Sequence, residues 1–252
     1  MLAKERHDEI VRLVNENGSV LVKDLAKQFS VTEDSIRKDL TLLQKNGFLK
    51  KTYGGAVKVK VNEQDFFIEK RKGKHTAEKM EIARKAAQLI ADGDMIFLDN
   101  STSNIELAKI LIQEERNVKV VTSMIDILLL FKKPCVPKFI FIGGMMNDEK
   151  ETFVGALTNE IIRQYHFDKA FIGVVSVDLE KNRVSTYEPE DGLTKAMAME
   201  HASESYLMLE TRKFDMESNY QFARIDDFTG AISEQKTKSL EKQLEKYSIE
   251  WI

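Results

Sequence analysis

A run of short polar side chains in the middle of the chain has the composition of a phosphate-binding loop. Asp99-Asn100-Ser101-Thr102-Ser103 comes directly after the apolar segment 95–98 and leads into a helical pattern that begins near Asn104. Hydroxyl and backbone N–H groups at the start of a helix favour a phosphate, because the helix dipole adds partial positive charge there. The pattern predicts an anion site, with simple helix capping by Ser and Thr as the alternative.

Other polar or small residues follow further apolar segments. Thr122-Ser123 and Gly143-Gly144 each come after such a segment, and Gly173 lies within or after a fourth one. In parallel sheets, ligands bind beyond the carboxyl ends of the strands. We therefore expect these residues to face one site, while glycines that only make turns are the alternative.

Three charged residues farther along the chain are also candidates for ligand binding. Asp191 and Lys195 are one helical turn apart, and Lys213 follows the apolar segment 206–209. A solvated salt bridge is the default interpretation of the first two. Their position after strands is what favours a role in binding.

A second chemical feature is a basic helix face near the N-terminus. Thr32 is a good N-cap, and the acidic residues Glu33 and Asp34 follow it in the first turn, where the helix dipole favours them. Spacings of four and three mark an apolar stripe, which consists of Ile36, Leu40 and Leu43. The side chains expected on or near the opposite face are Ser35, Arg37, Lys38, Thr41 and Lys45.

The segments around this helix predict a helix-turn-helix with a wing. Apolar periodicity indicates helices over 4–17 and 22–29, and 48–57 has the pattern of two short strands around a turn. In a helix-turn-helix the last helix enters the major groove of DNA, and Lys50 and Lys51 on the wing would meet phosphates beside it. A protein–protein interaction module is the alternative on periodicity alone.

Short apolar segments alternate with amphipathic ones beyond residue 75. The predicted strands are 95–98, 119–122, 138–142, 169–174, 206–209, 229–232 and 248–251. The predicted helices are 78–90, 104–113, 124–131, 156–165, 192–202 and 235–246. This alternation predicts an α/β domain with a mainly parallel sheet covered on both faces. We place a small winged helix-turn-helix domain at 1–57, a linker at 58–75 and the larger α/β domain at 76–252.

The charge of the chain is segregated between its two ends. The net charge is −3, but residues 1–60 carry a balance of +4 and residues 61–252 a balance of −7. A cationic N-terminal part suits DNA binding, because phosphate neutralisation is local.

The sequence shows no pattern for a disulfide, a metal site or a membrane span. The single Cys135 cannot form an internal disulfide, and the four histidines lack metal-ligand spacing. The longest uncharged apolar stretch is far too short to span a bilayer. We expect a cytoplasmic protein without a metal or cofactor.

The N-terminal residues closely resemble the DeoR family of transcriptional regulators. The matching positions are Arg6, Ile10 and Val14, the run 32–40, and Tyr53-Gly54-Gly55-Ala56 in the wing. The resemblance extends over nearly all of residues 66–233, at Phe66, Arg71, 79–83, the Asp99 loop, Gly143-Gly144, Gly155, 168–173 and Lys195.

The resemblance implies a DNA-binding regulator with a sugar-phosphate-sensing domain similar in fold to ribose-5-phosphate isomerase. The residues that would contact DNA are Thr32, Ser35, Arg37, Lys38, Lys50 and Lys51. The residues that would line the effector site, by matching position, are Asp99, Ser101, Thr102, Ser103, Gly143, Asp191, Lys195 and Lys213.

The loops depart from the family pattern at several positions. Ser35 stands where threonine is usual, Ser101 where the family has glycine, and Ser123 where it has asparagine. The family's Asp-Ser-Ser-Lys is Glu210-Thr211-Arg212-Lys213 here. These changes predict either an atypical effector or weaker binding of the usual kind, with Arg212 as a new anion contact.

The sequence thus predicts a repressor of a sugar-metabolism operon, released from operator DNA by a phosphorylated sugar. One alternative is an effector-independent regulator whose larger domain serves only for self-association. The other is a sugar-phosphate isomerase-like enzyme that uses Asp99, Asp191 and Lys213 as acid–base groups. We also expect a homo-oligomer, because one winged helix buries too little surface for high operator specificity.

Overall fold

The structure, a computed structural model, describes residues 3–45, 48–57, 68–148 and 151–252. The chain divides into two compact units, Met1–Asn62 and Glu63–Ile252. We call the first unit the head and the second the body.

In its described residues, the head has three helices and a small antiparallel sheet. Its elements are α1 (Ala3–Asn17), β1 (Ser19–Leu21), α2 (Val22–Phe29), α3 (Glu33–Lys45), β2 (Lys50–Thr52) and β3 (Gly55–Val57). The strand order is β1-β3-β2, so β3 pairs on both of its edges. The predicted helices and wing are present, while the three-residue β1 is too short for a period-two pattern to reveal it.

The apolar stripe of α3 faces the interior of the head, as its spacing predicts. Ile36, Leu40 and Leu43 pack in one cluster with side chains from the other two helices and the sheet. The remaining buried members of that cluster are Ile10, Val14, Val22, Leu25, Leu49 and Ala56. Burying the stripe fixes which side of α3 is turned to solvent.

The body is an α/β domain. Its helices are α4 (Ile68–Arg71), α5 (Thr76–Gln88), α6 (Thr102–Gln113), α7 (Ile125–Leu130), α8 (Ala156–Ile162), α9 (Pro189–Glu200) and α10 (Lys238–Leu244). Its first strands are β4 (Met95–Leu98), β5 (Lys119–Thr122), β6 (Lys138–Phe141), β7 (Met145–Asn147), β8 (Thr152–Val154) and β9 (Phe167–Gly173). Its later strands are β10 (Ser176–Asp178), β11 (Arg183–Thr186), β12 (Ala202–Met208), β13 (Tyr220–Ala223), β14 (Gly230–Ile232) and β15 (Glu250–Trp251).

Seven strands form the central sheet, in the order β15-β14-β12-β9-β4-β5-β6. Every neighbouring pair in it is parallel. Successive side chains of a strand point to opposite faces, so Ile96 and Leu98 of β4 join one buried cluster and Phe97 joins the other. The predicted α/β class, with a parallel sheet buried on both faces, is confirmed.

Two small antiparallel units in the body lie outside the predicted helices and strands. One is the hairpin β7–β8, and the other is the three-stranded sheet β10-β11-β13. Their strands are three or four residues long. Each strand is therefore too short to show an alternating pattern in the sequence. These segments become strands because they pair with one another in the tertiary structure.

Some boundaries differ from those that the sequence predicts. Of the predicted linker 58–75, residues 58–67 lie outside the described part of the chain, whereas Ile68 is fully buried in the core of the body. The predicted helix 235–246 is divided into α10 and a short 3₁₀ turn at Glu245–Tyr247. Helix α9 begins at Pro189, which is a favourable residue for the first helical position.

Within the described ranges, no helix has the length and apolar character that a membrane span requires. No group of three or more His, Cys, Asp or Glu side chains in those ranges could hold a metal ion. Cys135 is a free, half-buried thiol.

The two adjacent glycines of the wing provide a test of the head sheet. A Cβ at Gly55 would lie 1.9 Å from the carbonyl oxygen of Val20, whereas a Cβ at Gly54 would meet no atom within 4 Å. We expect Gly55→Ala to destabilise the head by about 1–3 kcal/mol, the usual cost of overpacking, and Gly54→Ala to have little effect. Hydrogen exchange of the β3 amides in the full chain measures the difference. Equal protection in the two variants would contradict this account of the β1–β3 contact.

Candidate functional site

The exposed side of α3 begins with a capped turn and carries two cations. The Oγ1 of Thr32 accepts a hydrogen bond from the backbone N of Ser35 at 3.2 Å. Arg37 and Lys38 follow, and both are exposed. The Arg37 guanidinium donates to Glu33 at 2.7 Å and to Asp34 at 2.9 Å, both on its own helix. Exposed pairs of this kind contribute only about 0–1 kcal/mol, so Arg37 can exchange them for another anion.

The wing is held against the same helix by polar contacts. The Nζ of Lys51 donates to Thr41 Oγ1 at 2.7 Å, and the backbone N of Lys51 donates to Gln44 Oε1 at 2.8 Å. Lys50, beside it, is exposed. The structure therefore keeps the basic strand β2 next to the basic side of α3.

A buried carboxylate joins α3 to α1. Asp39 accepts hydrogen bonds from Arg6 Nε at 2.7 Å and from the second guanidinium nitrogen of Arg6 at 3.2 Å. The Nε2 of His7 lies 2.8 Å from Asp39 Oδ1, the oxygen that also accepts from the second guanidinium nitrogen of Arg6. Burial opposes ionisation of Asp39, but the hydrogen bonds from Arg6 and His7 prevail and lower its pKa. Asp39 thus holds α1 against α3.

In the body, a buried ion pair lies at the carboxyl end of β4. Asp99 is 3% exposed and Lys195, from α9, is 5% exposed. The Nζ of Lys195 donates to Asp99 Oδ2 at 2.5 Å, to the carbonyl oxygen of Gly173 at 2.9 Å and to Asn100 Oδ1 at 3.1 Å. The backbone N of Gly173 donates to Asp99 Oδ2 at 2.8 Å, and Asn104 Nδ2 donates to Asp99 Oδ1 at 2.7 Å. The ends of β4 and β9 and the helices α6 and α9 meet at this pair.

Asp191 is a buried member of the same cluster. Its carboxylate lies 3.6 Å from Lys195 Nζ and accepts a hydrogen bond from Thr186 Oγ1. Asp191 is 3% exposed, so the solvated pair expected by default for Asp191 and Lys195 is wrong. Helical spacing alone could not show this burial.

The hydroxyl loop after β4 both caps a helix and fills space. Ser101 Oγ accepts from the backbone N of Asn104 at 3.3 Å, and Thr102 and Ser103 are buried in the first turn of α6. A Cβ at Gly173 would lie only 2.2 Å from Ser101 Cβ. The serine that replaces the family's glycine therefore sits directly over the end of β9.

Gly143 is placed differently from the other predicted effector residues. Its carbonyl oxygen accepts from Thr158 Oγ1 of α8 at 3.0 Å, and in the described part of the chain no hydrogen bond joins it to the Asp99 cluster. Ser123, another departure from the family pattern, lies 3.1 Å from Thr152 Oγ1 and so ties the hairpin β7–β8 to the end of β5.

Lys213 belongs to a second cluster, which is built on Glu210. This carboxylate is 2% exposed and lies 2.8 Å from Lys213 Nζ and 3.4 Å from the Arg212 guanidinium. Burial alone would raise the pKa of Glu210, but Lys213 and Arg212 outweigh it and hold that pKa well below its usual range. Burial also lowers the pKa of Lys213.

Two further cations face this cluster, and sequence reasoning assigned neither to the site. Lys79 donates to the carbonyl oxygens of Arg71 at 2.9 Å and Lys74 at 2.6 Å, and burial lowers its pKa to about 8. Burial likewise lowers the pKa of Arg71, while Asp191, Tyr187, Asp99 and Glu210 attract its charge. Arg71 is thus within electrostatic range of both the Asp99 and the Glu210 clusters. The sequence signal for a role of Arg71 in the site is that it occupies a position of the DeoR family pattern.

A pocket of about 350 Å³ opens beside the N-terminal half of α6. Its polar lining includes Lys72, Lys74, Thr76, Lys79, Thr102, Glu106, Lys109 and Asp126. The volume lies in the range typical of small-molecule sites. Lys79 and Thr102 connect the pocket with the clusters described above, so the arrangement suits a polar anionic ligand.

Two family models match the chain, and together they span both units. A model described as the DeoR C terminal sensor domain matches residues 74–235, and one described as a DeoR-like helix-turn-helix domain matches residues 6–62.

Curated relatives align over almost their whole length. The lactose phosphotransferase system repressor of Staphylococcus aureus (strain N315) is 31% identical, with 96% of this chain and 97% of the relative covered. The corresponding repressor of Streptococcus mutans is 29% identical, with 98% of each covered. FruR of Bacillus subtilis, described as an uncharacterized HTH-type transcriptional regulator, is 30% identical over 91% of this chain and 90% of its own.

A solved structure shares part of the fold at low sequence identity. The tetrameric eIF2B-beta2-delta2 complex from C. thermophilum matches with a TM-score of 0.50 and 14% identity, over 65% of this chain and 57% of that one. At this identity the match shows the fold alone. The chain thus spans little more than half the length of this solved structure.

The Asp39 contacts provide a test of the head geometry. Asp39→Asn removes the charge that holds Arg6 and His7, and we expect it to destabilise the head by about 2 kcal/mol, because hydrogen bonds to charged groups are the stronger ones. The pKa of Asp39 is lowered in the folded state, so its contribution is present at neutral pH. It is lost as the pH falls below about 4, toward and through the folded pKa. Hydrogen exchange of α1 and α3 at pH 7 and at low pH measures this, and a variant as protected as wild type at pH 7 would contradict it.

The Asp99–Lys195 pair provides a test of the body. Lys195→Gln leaves the buried Asp99 carboxylate without its cation, and breaking a buried pair costs about 3–5 kcal/mol. Lys109→Gln is the matched control, because Lys109 forms an exposed pair with Glu106 one turn away. Urea unfolding of the body should show a large loss for the first variant and a negligible one for the second. Similar losses would mean that burial of the pair has no special importance.

Proposed function

Because the chain belongs to the DeoR family of transcriptional regulators, we propose that it represses a sugar-metabolism operon and that a phosphorylated sugar bound in the body releases it from operator DNA. The chain is a DeoR-type helix-turn-helix regulator. The observation that carries the proposal is the two-sided character of α3. One side is buried through Ile36, Leu40 and Leu43, and the other presents Arg37 and Lys38 to solvent.

The head binds DNA through α3 and the wing. The N-terminal half of α3 enters the major groove, as the second helix of a helix-turn-helix does, so that Thr32, Ser35, Arg37 and Lys38 reach base edges or phosphates. Lys50 and Lys51 of β2 contact the adjacent phosphate backbone. These lysines supply affinity that does not depend on sequence, while the α3 side chains supply the specificity.

The body binds the effector at the carboxyl end of its parallel sheet, where ligands of such sheets bind. The residues that we assign to this site are Asp99, Ser101, Thr102, Ser103, Gly143, Asp191, Lys195 and Lys213. Buried carboxylates accept hydrogen bonds from sugar hydroxyls, and the cations balance a phosphate. The S. mutans and S. aureus relatives are lactose phosphotransferase system repressors, which supports a sugar-derived signal.

An effector-independent regulator is the second candidate, and one observation favours it. Asp99 and Lys195 satisfy each other and their neighbours, and Ser101 occupies space above the end of β9. In that case the body would serve only for self-association.

We assign residues 1–57 to DNA binding, 58–75 to the connection and 76–252 to effector binding and self-association. The protein acts in the cytoplasm, where the operator is, and as a homo-oligomer. Two heads on an inverted repeat provide the interface that one winged helix lacks.

A gel-shift assay tests the proposal and separates the candidates. The probe is the DNA upstream of the chain's own gene and its neighbours, and the assay is repeated with a panel of sugar phosphates and with the corresponding free sugars. Binding that one sugar phosphate abolishes supports the proposal. Binding that no ligand changes supports the effector-independent regulator, and the absence of any specific shift contradicts both.

Charge reversal on α3 tests the DNA-binding role. We expect Arg37→Glu combined with Lys38→Glu to weaken operator binding by at least about a hundredfold, because each residue contributes phosphate or base contacts and the new carboxylates are repelled. Arg84→Glu is the control, because Arg84 is an exposed cation on α5 of the body. Fluorescence anisotropy with labelled operator measures both affinities. An unchanged affinity of the α3 variant would exclude this helix as the DNA-reading element.

A further inference from the structure

We propose that Arg71 and Arg212, with Lys213 beside them, form an oxyanion subsite that binds the phosphate group of the effector. This inference rests on the proposed effector-binding function and assigns a place to the ligand's phosphate. The sequence predicts Lys213 as an effector contact and Arg212 as an additional anion contact, whereas Arg71 is new to the site.

Two buried guanidinium nitrogens are the first observation. The Nε atoms of Arg71 and Arg212 are both shielded from solvent, and within the described ranges neither has a hydrogen-bond partner. A buried donor without a partner costs about 1–3 kcal/mol. Two such donors around one cluster indicate that an acceptor is missing from it.

The charge of the cluster identifies the kind of acceptor. Arg71, Lys79, Arg212 and Lys213 all act electrostatically on the single carboxylate of Glu210. Glu210 forms ion pairs with Lys213 at 2.8 Å and with Arg212 at 3.4 Å, while Lys79 donates to backbone carbonyls. The positive charge is therefore only partly balanced, which favours an additional anion.

The geometry of guanidinium favours phosphate as that anion. A guanidinium donates two parallel hydrogen bonds to phosphate or carboxylate oxygens. A phosphate monoester offers three such oxygens, enough to satisfy Arg71, Arg212 and Lys213 together, whereas a second carboxylate offers two. The family's serine at position 212 could supply only a hydroxyl, so Arg212 gives this chain a stronger anion contact.

The position of Arg71 orients the rest of the ligand. Its charge is attracted by Asp99 and Asp191 as well as by Glu210. A phosphate beside Arg71 therefore leaves the attached hydroxyl-bearing chain near the Asp99 cluster, whose carboxylates accept hydrogen bonds from hydroxyls. Glu210 is then the internal counter-ion with which the phosphate competes for Lys213 and Arg212.

Calorimetric titration of the full chain with inorganic phosphate, at constant ionic strength maintained with chloride, tests the subsite directly. We expect Arg212→Ser to weaken phosphate binding about tenfold or more and Glu210→Gln to strengthen it severalfold, because the second change removes the competing carboxylate. Arg71→Gln should act like Arg212→Ser, and Arg84→Gln on the exposed side of α5 is the control. Circular dichroism melts verify that each variant is folded.

The opposite effects of Arg212→Ser and Glu210→Gln on phosphate affinity distinguish a phosphate site from a structural cluster or from general attraction to a charged surface. Wild-type phosphate affinity in Arg212→Ser, or weaker binding in Glu210→Gln, overturns the subsite. Equal weakening by Arg212→Ser and Arg84→Gln also overturns it, since it shows non-specific attraction. The Arg212 side chain is 25% exposed, so we expect Arg212→Ser to fold. This variant therefore tests the subsite even if Arg71→Gln does not fold.

A second arm separates this inference from the proposed function. Operator release is measured with a hexose 6-phosphate that acts on the wild type and with the same hexose without its phosphate. Release by the sugar phosphate that persists unchanged in Arg212→Ser overturns the subsite and leaves the repressor function intact. Phosphate binding with the expected variant effects, but without operator release by any sugar phosphate, supports the subsite and contradicts the proposed function.

Discussion

The buried ion pair of Asp99 and Lys195 is the contact on which the body's site depends. It joins the end of β4 to the end of β9 and to α9, because Asp99 accepts from both Gly173 and Lys195. A buried charge without its partner is strongly unfavourable, so the loops that carry these groups are held in one arrangement. A parallel sheet places such loops at a common edge. The ion pair therefore orders the polar site that these loops form.

This polar site has an anionic part and a cationic part. Asp99 and Asp191 lie around Lys195, whereas Glu210 lies among cations from three separate parts of the chain. Arg71, from the first helix of the body, is within electrostatic range of both. A ligand with a phosphate at one end and hydroxyls at the other matches this division, because each end meets groups of complementary character.

The head follows a simpler rule, in which one buried carboxylate fixes the placement of helices. Asp39 on α3 holds Arg6 and His7 of α1, while the apolar stripe of the same helix enters the core. With both the core side and the Asp39 contact fixed, Arg37 and Lys38 have only the solvent side available. The exposed ion pairs of Arg37 with its own helix are weak enough to be exchanged for DNA phosphates or bases.

The sequence by itself determined the types of the longer elements, the α/β class and the family. Long periodic segments such as α3, and apolar segments such as 95–98, carry enough residues for their pattern to specify helix or strand. It also placed Asp99, Asp191 and Lys195 near strand ends, but it could not decide between a solvated pair and a buried one. Only the tertiary structure decided the burial of that pair, the short antiparallel strands and the placement of Arg71 within electrostatic range of Glu210. These features depend on contacts between residues far apart in the chain, which no local period records.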